Sequence, residues 1–455
     1  MTPRAWRLEG RGLWPLHLVV GAALLACSMA AWSIDLLQAY EAAQRSDPLI
    51  LASRASAEAG RERLPQARAQ LLPNIAASMV HNRNHLSSTS PNILGAEQIV
   101  ATTYPSSNQT LTVRQPVLRT FQLAQYHQAQ AQVEDANAAL QQDEQNLAVR
   151  VSSAYFEAAL SREQLDLVLA QQRTYTTQLA AARMSLAAGA GTRTDVDESQ
   201  ARLDMSMASE IEARQNIDYT LRQLQALVNQ PVAELAALDV ARFEPRNPQP
   251  NRVEDWIASA EYYSPQLKSL KAQLEVARQE LEKAQSAHYP TLDAVAQWSH
   301  SESENVLNVQ SRYTNTAIGL QLNVPIYSGG YANSQIRQAL AGRDRAEQML
   351  EAGRIDLGLR VHKEFRGVTD NVPKIRALEQ ALRSADQLVL SNRKSLHAGS
   401  RTLVDVLNAE QQRVVVLRDL SQARYLYLIA RIRLQALVGA AGADAMAETN
   451  RMLRH

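Results

Sequence analysis

The chain has 455 residues, with 47 Lys plus Arg against 46 Asp plus Glu, one cysteine, 17 glycines and 16 prolines. A formal charge of +1 without a basic cluster excludes an electrostatically driven nucleic-acid binder. One cysteine excludes a disulfide scaffold and a Cys-rich zinc module.

The N-terminus reads as an export leader over residues 1–33. Arg4, Arg7 and Arg11 precede an apolar run from Leu13 to Ala31, and the small residues Ala30, Ala31 and Ser33 follow. This pattern predicts cleavage after Ser33 and a mature chain starting at Ile34. Two alternatives are a membrane anchor, for which the run is long enough, and a lipoprotein signal that acylates Cys27. The small-residue site at Ala31 and Ser33 favours cleavage, which removes Cys27. No later segment is apolar and uncharged for long enough to predict a transmembrane helix.

The mature chain repeats itself once. Residues 46–75 match 263–292, so that Pro48, Ala67 and Pro73 meet Pro265, Ala284 and Pro290. From Gln128 onward the offset settles at 210: Arg150 meets Arg360, Gly189 meets Gly399, Asp195 meets Asp405, and Leu224–Val228 recurs as Leu434–Val438. A period this long is a duplication rather than a solenoid. It predicts a first structural repeat over 34–228, an inter-repeat segment over 229–262 rich in proline, a second repeat over 263–440 and a tail over 441–455.

Each copy predicts the same order. A helix over 49–72, or 266–289, stops before Pro73 or Pro290. Two strands follow, about 74–84 and 107–117 in the first copy and 291–304 and 312–326 in the second. In the last of these Ile318, Leu320, Leu322 and Val324 alternate with Gly319, Gln321 and Asn323, the period of a strand with one apolar face. The loop 85–106 is rich in Ser, Asn, Thr and Pro. A helical hairpin then runs over about 118–228, or 330–439. Residues 117–188, 192–230 and 400–438 contain neither glycine nor proline, which predicts helices far longer than the usual three turns. Turns fall at Gly189–Gly191 and Gly399–Thr402, with Ser400 between. Val416, Leu420, Ala423, Tyr427, Ala430, Leu434 and Leu437 step by fours and threes, as do Leu147, Val151, Ala154 and Ala158, so the helices are expected to pair as coiled coils. Pro373 interrupts the second copy where the first has Glu163, and is expected to break that helix.

Four strands cannot close a barrel, and open edges are unstable in lipid. Either the strands form a small sheet in a soluble periplasmic coiled-coil protein, or two, three or four chains pool them into a barrel of 8, 12 or 16. Trp298 and Tyr313 fit an interfacial aromatic belt or ordinary strand packing. No catalytic constellation is visible: Gly189 and Gly191 lie between helices without a third glycine, and no Walker, zinc-protease or hydrolase motif occurs. His81 and His85 fall in a strand-loop region, where their spacing makes no helical metal site. No enzyme activity, metal or cofactor is expected.

Three stretches carry a resemblance. They are Ile34–Tyr40 continuing through Ser46–Pro48, the strand-to-helix passage GLQLNVPIYSGGYANSQIRQA from Gly319 to Ala339, and the turn AGSRTLVDVLN from Ala398 to Asn408. Together with the duplication they resemble the TolC family of outer-membrane channel proteins. The resemblance implies a mainly α fold with a membrane β-barrel, in which a homotrimer joins a 12-stranded barrel to a periplasmic α-helical barrel. It implies export of proteins or drugs from a periplasmic adaptor and an inner-membrane ABC or RND translocase, with outer-membrane lipid around the barrel. It places Asp405 in an acidic ring at the tunnel entrance, with Asn408 at that ring's second position. It makes Arg401 a gate residue tied to Thr194 and Asp195, with Leu396 at a further link position, and an iris-like movement of the coiled coils opens the end.

Overall fold

The computed structural model describes residues 34–91, 93–304 and 310–454. The leader, its cleavage site and Cys27 lie outside the described residues.

Three short helices open the chain: α1 (Leu36–Ser46), α2 (Pro48–Arg61) and α3 (Arg63–Ala69). Asp35 caps α1 by accepting from the Gln38 N–H at 2.7 Å, and Pro48 starts α2 at a position where its missing N–H costs nothing. The single helix expected over 49–72 is thus divided. Pro65 has no N–H for the carbonyl of Arg61, so α2 stops there and α3 starts with the proline in its first turn.

A four-stranded antiparallel sheet follows in chain order: β1 (Asn74–Pro91), β2 (Glu97–Leu118), β3 (Thr291–Glu304) and β4 (Gln310–Asn323). β1 and β2 run well past the expected 74–84 and 107–117. The polar stretch read as a loop is mostly ladder, with His85 opposite Thr103 and Thr89 opposite Ile99. Backbone pairing needs no apolar side chains, so a Ser/Thr-rich strand with both faces polar leaves no alternation to read. β4 ends at Asn323, not 326, just before Pro325.

The register builds two unlike faces. Ile75, Val113, Ala296 and Ile318 form one row across all four strands; Ser78, Thr110, Ser299 and Asn315 form a row of the other face. Ile75, Met79, Leu111, Ile318, Leu320 and Leu322 are exposed on the apolar side. Trp298 shares that side, but Tyr313 pairs with Ser301 and falls on the polar face, so the two cannot belong to one belt. Asp293 on the polar face is nearly inaccessible and accepts from Arg114 Nε and Arg119 Nε at 2.8 Å each, joining β3 to β2 and to the start of the next helix. His81 and His85 lie on β1, roughly 13 Å apart along it, too far to share a metal.

The helices carry the length. α4 (Thr120–Ala187) has 68 residues without interruption, roughly 100 Å, and packs against α5 (Arg193–Val228). After α6 (Val253–Tyr263) and α7 (Pro265–Gln285), the second copy supplies α8 (Tyr331–Thr369), α9 (Asn371–His397) and α10 (Leu403–Leu437), and α11 (Ala443–Asn450) closes the chain. The break between α8 and α9 falls at Thr369, four residues before Pro373, where a continuous helix would bring the ring against a carbonyl.

The core lies at mid-height. The coiled-coil seam residues Leu147, Val151, Ala154, Leu420, Ala423, Tyr427 and Leu434 are buried there with Tyr155 and Phe156. Segment 229–252 and the tail wrap this waist, through bridges pairing Ile34 with Leu235 and Leu238 with Leu453. Tyr155 Oη reaches the carbonyls of Ile34 (3.0 Å) and Ala236 (3.1 Å). Among the described residues no helix is long and apolar enough to cross a membrane.

Candidate functional site

The two hairpin tips lie at the ends of the helices, away from the sheet. Both are built by the same local chemistry. Gly189 and Gly399 adopt left-handed φ values of 73° and 74°, which lets Ala190 and Ser400 donate to the carbonyls of Ser185 and Ser395 at 2.9 Å. Thr192 and Thr402 then cap α5 and α10. In each case the threonine hydroxyl accepts from the backbone N–H three residues on, while Asp195 or Asp405 accepts from the threonine N–H, a reciprocal capping box. Gly191 precedes the first cap, and Arg401 occupies the matching place before the second.

The carboxylates are therefore engaged within their own turns. Asp405 Oδ2 accepts from Thr402 N at 3.0 Å and from its Oγ1 at 2.9 Å, and Arg401 Nη1 stands 3.7 Å from Oδ1. The Thr402 bonds, and then the Arg401 charge, hold the Asp405 carboxyl below its ordinary range. Asp195 accepts likewise from Thr192, at 3.1 and 2.7 Å. Arg401 is paired with Asp405, and among the described residues no hydrogen bond or ion pair joins it to Thr194 or Asp195. Those three residues and Leu396 instead line one cleft of about 1040 Å³ between the tips.

Contacts between the hairpins lie a turn or two deeper. Arg202 on α5 donates through Nη2 to Asn408 Oδ1 on α10 at 2.9 Å. The Tyr175 hydroxyl donates to Gln411 Oε1 at 3.0 Å, and Gln171 Nε2 donates to the same oxygen at 2.6 Å. Burial pushes the Tyr175 phenol above its ordinary pKa. Leu407 is fully buried in a cluster with Tyr175, Leu179, Ala182, Val196 and Leu203, separate from the waist core. Sequence reasoning placed the turns, with Asp405 in the second, but gave no sign of the contacts made by Arg202, Gln411, Tyr175 and Leu407. The only local signal was Glu198 four residues before Arg202, a spacing that usually marks nothing more than a solvated helix face.

Comparison with known proteins agrees with this architecture. The family described as outer membrane efflux protein matches residues 39–230 and 256–440. The alkaline protease secretion protein AprF of Pseudomonas aeruginosa is 34% identical over 421 residues, 92% of this chain and 87% of that protein. The outer membrane protein TolC of Escherichia coli is 28% identical over 93% of this chain and 86% of its own length. The crystal structure of the outer membrane protein VceC from Vibrio cholerae superposes with a TM-score of 0.77 over 89% of this chain and 96% of that one, at 17% identity, a likeness of fold. With an open strand quartet at one end, paired helical hairpins at the other and family matches spanning both repeats, the chain belongs to the outer membrane efflux protein family and is an outer-membrane channel protein of the TolC type.

Proposed function

We propose that three copies of this chain form one duct through which a secreted polypeptide leaves the cell by a type I route. The observation that carries this reading is the sheet, with one apolar face and two unpaired edges. Such edges are untenable in lipid, so further copies must supply their partners, and three chains give 12 strands. The helices extend the pore into the periplasm. Cargo reaches it from an inner-membrane translocase of ABC or RND type through a periplasmic adaptor, and the chain catalyses no reaction. Asp405 and Asn408 stand at the entrance, and outward movement of one hairpin opens it, with Arg401, Thr194, Asp195 and Leu396 at the parting surfaces.

Protein cargo is favoured because AprF, whose name describes protease secretion, is 34% identical to this chain over 421 residues. Efflux of small toxic compounds is the second reading, supported by the family's description. Detergent extraction and chemical crosslinking of outer-membrane fractions are expected to give a trimer that conducts in planar bilayers. Deleting the gene is expected to retain a secreted protein inside the cell. A soluble monomer would overturn the duct, and unchanged secretion with increased sensitivity to toxic compounds would replace the cargo.

A further inference from the structure

We propose that Arg202 is a latch residue that holds the two hairpins of one chain together at the tip through Asn408. The proposal rests on the duct reading above. Arg202 lies one turn after Glu198, whose Oε1 accepts from Arg202 Nε at 2.9 Å. That bond fixes the guanidinium plane and leaves Nη2 aimed at Asn408 Oδ1, also at 2.9 Å. The partners are 206 residues apart, so the bond crosses from the first hairpin to the second.

The surroundings make this contact a joint. Leu203 and Leu407, the next residue on α5 and the preceding one on α10, are both buried in the same cluster. One turn further along α10, Gln411 accepts from Tyr175 and Gln171 of α4. Leu407, Asn408 and Gln411 thus all engage the first hairpin. The Arg202 side chain is only 27% exposed, while Asn408 lies at the surface.

Asn408 also sets the strength of the latch. A neutral amide offers one oxygen to Nη2, where a carboxylate would add charge and a second acceptor. The joint therefore closes the tip with a bond weak enough to release.

Single-channel conductance of the purified full-length trimer tests this. Arg202→Ala and Asn408→Ala are each expected to raise mean conductance severalfold, and the double variant no further than the larger single effect. Asn408→Asp, which keeps the accepting oxygen and adds charge, is expected to slow hydrogen exchange over 403–412, and to do so less in the Arg202→Ala background. Trimer yield on crosslinking and thermal unfolding identify any variant that misfolds. Unchanged conductance in Arg202→Ala would overturn the latch, as would single effects that multiply in the double variant. If the parent itself conducts nothing, the duct reading fails on its own. Hydrogen exchange over 193–205 and 403–412 then decides the latch: faster exchange in Arg202→Ala supports it, and unchanged exchange rejects it.

Discussion

The two copies fold the same pattern and put it to different use. Their tips, 210 residues apart, share the left-handed glycine, the threonine cap and the capping aspartate. Two positions after that aspartate they diverge. Asp197 in the first copy is exposed and paired with Arg193 of its own helix, while the matching Leu407 is fully buried against the other hairpin. At the next position Glu198 holds Arg202, and its counterpart Asn408 receives that same arginine. The shafts diverge too, since α4 is continuous where α8 and α9 are broken. Turn shape is thus set by a few local bonds that duplication preserved. Which surface becomes the joint is set by single side chains on a helix face.

The strongest test of that contrast is Leu407→Ala. Removing this buried side chain is expected to cost the tip about 2–5 kcal/mol, whereas Asp197→Ala is expected to change it by less than about 0.5 kcal/mol. Hydrogen exchange of the 403–410 amides measures the first and that of 193–200 the second. Equal losses would mean the tips are packed alike. Next come the caps, where Thr192→Ala and Thr402→Ala should each cost about 1 kcal/mol and speed exchange at the Asp195 and Asp405 amides similarly. A large inequality would show that the shared turn does not do the same work in both copies. Pro373→Glu, which installs the residue of the first copy, supplies an N–H for the Thr369 carbonyl and should slow exchange over 369–374 by a gain of about 1 kcal/mol. No change would trace the break to something besides the ring.

The smallest effect concerns the charge proposed for the entrance. Asp405 is already bonded to Thr402 and near Arg401, and Asn408 adds no charge. Asp405→Ala is expected to weaken cation block of single-channel current only about two- to threefold. Because the carboxyl is held below its ordinary range, the charged form persists as pH falls through that range. Block in the parent should therefore survive to pH values that protonate an ordinary aspartate, and disappear only below them. Block lost at the ordinary aspartate pKa would mean that the capping bonds do not hold this carboxylate.

The sequence disclosed most of the scaffold because its signals are local. Glycine- and proline-free spans gave the long helices, the fours-and-threes steps from Val416 to Leu434 gave the buried seam, and the alternation from Ile318 to Leu322 gave an apolar strand face. The extent of β1 and β2 was hidden because Ser87–Ser90 is polar on both faces, yet pairs through the backbone with Gln98–Ala101 all the same. Pro65, which divides α2 from α3, acts as Pro373 does and was legible but unread. The joint was not legible at all. Nothing near Arg202 indicates Asn408, because their meeting is decided by how two hairpins pack.

The unpaired edges of β1 and β4 have a kinetic consequence. Each exposes a row of donors and acceptors that no segment of the same sheet covers. Whatever completes them has to arrive from outside the sheet, so the rate at which a barrel closes rises with the concentration of the arriving strands. Until then both borders stay adhesive. Dilution lengthens that exposure, while crowding at the membrane shortens it. For the proposed duct, where and how fast copies meet therefore governs the yield of finished pores as much as the stability of any one chain.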